Sequence, residues 1–202
     1  MKTQLAVASD LKKLYAPGVE PSLVEVPAFS FLMVDGKGDP NTSPDFQAAI
    51  QALFTLSYGV HFDLKKSGVD SRVRPLEALW WATSNHDIMR VDMAAWRWTA
   101  MIMQPDQLTP TRLEKVREEA QRKKPNAALG KVRLETFEEG MAAQVMHIGP
   151  YAAEKPTIEK LRAFIEDEGY RSRGRHHEIY LGDPRRAAPD KLKTIIRQPI
   201  SR

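Results

Sequence analysis

Residues 155–183 read "KPTIEKLRAFIEDEGYRSRGRHHEIYLGD", and the period of the pattern changes inside this stretch. Ile158, Leu161 and Ile165 recur at helical spacing, and Gly169 supplies a C-terminal stop. From His176 the pattern is that of a strand, in which side chains alternate between faces: His176, Glu178 and Tyr180 point one way, His177, Ile179 and Leu181 the other. One face therefore carries a carboxylate. Upstream, "KVRLETFEEGMAAQVMHIGPY" (131–151) contains two strand-like runs around Glu138–Gly140 and closes on a glycine turn. Downstream, "KLKTIIRQPI" (191–200) is a further strand. The order is strand, helix, strand, strand.

The first half of the chain repeats that order. "SLVEVPAFSFLMVDGKGDP" (22–40) reads as strand and turn, and "SPDFQAAIQALFTLSYGV" (43–60) as an amphipathic helix with Ser43 as N-cap and Pro44 at its first position. "RPLEALWWAT" (74–83) and "MAAWRWTAMIMQP" (93–105) form a hairpin around the polar "SNHD". Each half ends its last strand on Gln-Pro, at Gln104-Pro105 and Gln198-Pro199. Each also carries one glutamate in its post-helix strand, Glu77 and Glu178, which read as counterparts. The fold class is α+β, two strand-helix-strand-strand modules. The boundaries are an N-terminal helical extension over 1–21, a first module over 22–108, a charged connector helix over 109–124 ("TPTRLEKVREEAQRKK") and a second module over 125–202.

Composition narrows the function classes. The 202 residues, 42% hydrophobic, are enough for a real core. The absence of cysteine removes disulfides, thiolate metal sites and cysteine nucleophiles. No apolar run is long enough to span a bilayer, and Asp10, Lys12 and Lys13 interrupt the N-terminus where a signal peptide would stay apolar. A cytoplasmic protein without a membrane partner is the expectation. The net charge of +4 is a small excess over a mixed surface, with no basic face built to read nucleic acid.

A sheet hides one face under its helix. The apolar faces, Ile179 with Leu181 and Leu76 with Ala78, are expected there, so that Glu178 and Glu77 point away and line a shared groove with Tyr180 and Trp81. Trp80 and one of Trp96 and Trp98 are expected in the core. A metal site is disfavoured, because His176 and His177 are adjacent on a strand and face opposite ways. "GKGDPN" (36–41) lacks the ending of a phosphate loop, and no Gly-x-Ser-x-Gly element exists.

"PLEALWW", "WRWTAMIMQPDQLT", "FEEGMAAQVMHIGPYAAEKPTIEKL" and "HHEIYLGDPRR" with "KLKTIIRQPI" resemble the signature segments of the GyrI-like small-molecule-binding proteins, of the stand-alone type related to effector domains of multidrug-sensing transcription regulators. The resemblance runs from about Val24 to the C-terminus. It implies two modules in pseudo-twofold arrangement with a ligand cleft between them, and no cofactor. It also implies a glutamate in an aromatic-lined cleft, here Glu178, and, as in some stand-alone members, hydrolysis of the strained cyclopropane of DNA-alkylating toxins. In that reading Glu178 and Tyr151 are catalytic, Glu178 as general base and Tyr151 or Tyr180 as hydrogen-bond donor to the oxygen that gains charge. Glu77, Trp81, Tyr180, His176 and Trp98 bind the ligand. Desolvation among aromatics is expected to raise the Glu178 pKa. The alternative is a non-catalytic multidrug-type binder, sequestering protein or sensor, with Glu178 neutralising a cation stacked on the tryptophans. A module that titrates a protein partner such as a topoisomerase ranks last, since the chain advertises no large apolar or acidic patch. No helix-turn-helix segment precedes the module, so a complete regulator is not expected.

Overall fold

The computed structural model describes residues 11–82 and 88–202. The "SNHD" turn (84–87) and residues 1–10 of the N-terminal extension lie outside the described residues; within the rest of the extension, residues 11–15 are helical. The strands are β1 (Ser22–Val26), β2 (Phe29–Lys37), β3 (Leu76–Ala82), β4 (Trp96–Met103), β5 (Arg133–Phe137), β6 (Gly140–Ile148), β7 (Arg171–Ser172), β8 (His176–Tyr180) and β9 (Lys193–Ser201). The longer helices are α1 (Pro44–Lys66), α2 (Pro110–Lys123) and α3 (Lys155–Asp167). The chain forms two compact units, Ala28–Phe137 and Glu138–Arg202 with the N-terminal residues up to Pro27.

In the first unit the strands run antiparallel in the order β3-β4-β2-β5. Ser43 caps α1 by accepting from the Phe46 amide, with Pro44 in the first turn. Phe46 packs on Trp80 and edge-on to Trp98, at 5.4 and 4.9 Å between ring centroids. Trp80, Trp98 and Gly36 are paired neighbours on the sheet face under α1. Gly36 is required by space: a Cβ there would run into the Trp98 ring. Helix α2, which reads as a connector in the sequence, packs on α1. Gly59 lets Val116 approach, and Arg112 and Lys115 reach Asp63 at 2.6 and 3.3 Å.

The second unit repeats the arrangement in the order β1-β6-β9-β8, with β7 beside β9. In the first unit β2, before α1, pairs with β4, which pairs with β3 after the helix; in the second β6, before α3, pairs with β9, which pairs with β8 after the helix. The flanking strands differ from the sequence-based boundaries, because Ser22–Val26 pairs with β6 and Arg133–Phe137 with β2. An order of elements carries no information on which distant strand closes an edge.

Helix α3 buries Ile158, Leu161 and Ile165 against Ala143, Val145, Ile196 and Ile200. Register then corrects the assignment of faces on β8. Glu178 lies opposite Ile196, hence on the α3 side, whereas Ile179 lies opposite Ile195 on the other side. Ile179 and, by alternation, Leu181 are therefore not under the helix. The reason is that both faces are buried: Ile179 and Ile195 are fully covered, and so are His177 and Arg197 beside them. Apolar character did not discriminate between the faces. Glu77 does turn away from its helix, since it pairs with Met101 on the face opposite Trp80 and Trp98. Relative to their own helices, Glu77 and Glu178 thus occupy opposite faces and are not counterparts.

The other face of the second unit carries a buried polar network. Glu139 accepts from His177 Nδ1 at 3.0 Å and from Arg197 Nη1 at 3.2 Å. Arg197 also donates to Gln144 Oε1 and to the Leu14 carbonyl, and Gln144 donates to the Lys13 carbonyl. Helical residues 11–15 are tied to the sheet by these bonds.

Candidate functional site

Strand alternation brings His176, Glu178 and Tyr180 to one face, and their spacing lets the outer two grip the central carboxylate. The Tyr180 hydroxyl donates to Glu178 Oε2 at 2.6 Å, and His176 Nε2 lies 3.0 Å from Oε1. The Glu178 side chain is 13% exposed. Burial is the largest influence on this carboxyl and acts to raise its pKa. The bond and charge of His176, the bond from Tyr180 and the charge of His177 together outweigh it, so Glu178 ends below the usual carboxylate range. The expectation of a raised pKa is thereby reversed. Sequence shows the desolvating aromatics but not that one of them points its hydroxyl at the acid.

The raised pKa belongs to a residue that sequence reasoning passed over. Glu154 stands at the N-cap of α3 in a helical conformation, with no side-chain capping bond. Only 5% of it is exposed. Its Oε1 and the Thr194 hydroxyl are buried without a hydrogen-bond partner. Burial and then the Glu178 charge push Glu154 up to about 9. In neutral solution Glu154 is a carboxylic acid and Glu178 a carboxylate. Two like groups with separated proton affinities are the usual basis of acid and base roles. A signal for Glu154 was present, since "AAEKP" puts a glutamate where a helix start normally takes Ser, Thr, Asp or Asn.

Tyr151 lies in a short 3-10 turn between β6 and α3. Its ring meets that of Tyr180 edge-on at 5.5 Å, and the residue is 38% exposed. Burial, followed by the charges of Glu154, Glu178 and Asp183, raises its pKa, so the hydroxyl keeps its proton. His147 braces the turn, with Nδ1 at 2.9 Å from the Thr157 hydroxyl and Nε2 at 3.3 Å from the Pro150 carbonyl. Gly149 makes the bend at φ 138, in the left-handed region.

Of the residues singled out in the sequence, Glu178, Tyr180, His176 and Tyr151 come together in the second unit. Glu77, Trp81 and Trp98 belong to the first. Trp98 is 1% exposed and belongs to the core under α1, so it does not offer a ligand face; Glu77 is fully buried and Trp81 half-buried. Among the described residues, no group of three or more His, Asp and Glu is placed to hold a metal ion. No described helix is long and apolar enough to cross a membrane.

The solved structures include close likenesses. An uncharacterized conserved protein from Listeria innocua is 41% identical, with a TM-score of 0.88 over 96% of this chain and 98% of that one. A hydrolase from Listeria innocua is 40% identical, with a TM-score of 0.83 over 96% and 98%. The C-terminal domain of EcmrR, 14% identical with a TM-score of 0.56 over 91% and 98%, shares the fold. None of the curated proteins matches the chain. The model of the GyrI-like small molecule binding domain matches residues 19–201, nearly the whole sequence. On that match, and on two like strand-helix-strand-strand units, the chain belongs to the GyrI-like small molecule binding domain family.

Proposed function

We propose that this protein takes up hydrophobic or electrophilic small molecules beside Glu178 and hydrolyses those with a strained ring, the cyclopropane of DNA-alkylating toxins being the substrate class. Glu178 carries the proposal: a buried carboxylate, held ionised, next to two tyrosines of which one is partly open to solvent. Glu178 takes a proton from water while the water oxygen bonds to the ring carbon. The ring C–C bond breaks, its electron pair moves into the conjugated oxygen, and a proton is added there, so the sum is the addition of one water. The Tyr151 hydroxyl donates a hydrogen bond to that oxygen. The hydrolase label on a Listeria innocua relative of 40% identity supports this reading.

A second reading is binding alone, and one observation favours it. Both Glu178 oxygens already accept hydrogen bonds, which makes the group a weaker base and a more durable negative charge. Aromatic cations would then be the ligands, held by charge and by tyrosine faces. Incubation with an electrophilic cyclopropane alkylator, followed by mass analysis of the products, decides between them. A product heavier by one water supports hydrolysis; unchanged compound retained by the protein supports binding alone.

A further inference from the structure

Tyr151 stands apart from the other members of the site. His176, Glu178 and Tyr180 are fixed by strand β8, whereas Tyr151 is carried on the turn between β6 and α3. Gly149 gives that turn a left-handed bend, and the short 3-10 turn that follows has no side-chain capping bond. The place of the Tyr151 ring therefore depends on what ties the turn down. The Gly149 amide, bonded to the Leu192 carbonyl at 3.0 Å, is one such tie, and His147 is another.

Strand register places His147 in the row that forms the site. His147 pairs with Thr194 on β9, and Thr194 pairs with Tyr180 on β8, so the three side chains stand side by side on the Glu178 face. His147 nevertheless has no free polar atom to offer a ligand. It is 5% exposed, and both ring nitrogens are engaged, Nδ1 with the Thr157 hydroxyl in the first turn of α3 and Nε2 with the Pro150 carbonyl. A carbonyl only accepts, so Nε2 carries a proton. In the neutral ring Nδ1 is then the acceptor, and the Thr157 hydroxyl donates to it. One imidazole thus links β6, the turn and α3. Space agrees with this, since a Cβ at Gly149 would come within 3.3 Å of Nε2.

We infer that His147 is a positioning residue for the Glu178 site: as the Nε2–H tautomer, oriented by Thr157, it holds the turn so that the Tyr151 ring stays edge-on to Tyr180. This role rests on Tyr151 serving Glu178 as proposed above. A hydroxyl that meets developing charge must be in place before the reaction, and a displacement of about 1 Å can cost about a hundredfold in rate.

Nuclear magnetic resonance of the full chain, with ring-labelled histidine and tyrosine, tests the role without a substrate. His147→Ala and Tyr151→Phe assign the two signals. His147 should show the Nε2–H tautomer in mildly alkaline solution, and the Tyr151 and Tyr180 rings should show a direct Overhauser contact. That contact should weaken in His147→Ala and in Thr157→Val, and return in Thr157→Ser, which restores the hydroxyl. If His147→Ala fails to fold, the two Thr157 variants carry the test. An Nδ1–H tautomer, a contact left intact by Thr157→Val, or a serine variant no better than the valine one each overturns the role. With an electrophilic cyclopropane alkylator as substrate, Thr157→Val should lower kcat about tenfold to a hundredfold and leave KM within about threefold. An unchanged kcat in a variant that has lost the ring contact also overturns it. If the contact follows the variants as stated while the wild type hydrates no cyclopropane compound, the positioning by His147 stands and hydrolysis falls.

Discussion

The Tyr180 hydroxyl donates a 2.6 Å hydrogen bond to the carboxylate of Glu178, two residues earlier on the same strand. This bond helps to hold Glu178 ionised against its own burial. Tyr180→Phe should therefore raise the Glu178 proton affinity and move the acid limb of binding or turnover to higher pH. Since a hydrogen bond to a charged group contributes about 1.5–3 kcal/mol, denaturant unfolding should show a loss of that order. An unmoved acid limb would mean that the hydroxyl is incidental.

Glu178→Gln keeps the shape and most hydrogen-bonding capacity but cannot accept the proton of an attacking water. General-base assistance is worth roughly a hundredfold to ten-thousandfold, and turnover should fall by that much while neutral aromatic ligands still bind. If only cationic ligands weaken, the carboxylate serves as a charge and not as a base.

Glu154 and Glu139 shift in opposite directions and should bend the stability profile in opposite ways. Glu154 has a folded pKa raised to about 9 from an ordinary 4.5, so the stability it contributes is complete below about 4.5 and is lost as pH rises through about 9. The difference in unfolding free energy between wild type and Glu154→Gln should drift against the wild type across that window. A flat difference from pH 5 to pH 9 is the contrary outcome.

Glu139 has a folded pKa lowered to about 2, because His177 and then Arg197 outweigh its burial. The stability it contributes is present above about 4.5 and is lost as pH falls toward about 2. Glu139→Ala leaves Arg197 buried without its carboxylate, a change that typically costs about 3–5 kcal/mol. Thermal unfolding near neutral pH should reveal the loss, and protection of the 11–15 segment from hydrogen exchange should fall with it. An acid-unfolding midpoint that is the same in the variant would remove Glu139 from this account.

Gly36→Ala puts a methyl group into the Trp98 ring. Overpacking of this kind costs about 1–3 kcal/mol, and the tryptophan emission should change as Trp98 leaves its contact with Phe46.

Local pattern by itself determined most of the elements of this protein and their order, although the single strand read over 22–40 is two, β1 and β2. Ser43-Pro44 and Thr109-Pro110 mark helix starts, and Ile158, Leu161 and Ile165 mark a buried face, because capping and period act over a few residues. The grouping of His176, Glu178 and Tyr180 was legible for the same reason, since alternation in a strand needs no partner. The tertiary structure decided the rest. It put α3 over the Glu178 face, although the opposite face is equally buried, and it closed the sheet edges with β1 on β6 and β5 on β2. It also carried Glu154, 24 residues from Glu178 in the chain, up to the carboxylate, and left Trp98 in the core. Proton affinity depends on burial and on charges a few ångströms away in space, and neither quantity is a property of neighbours in sequence.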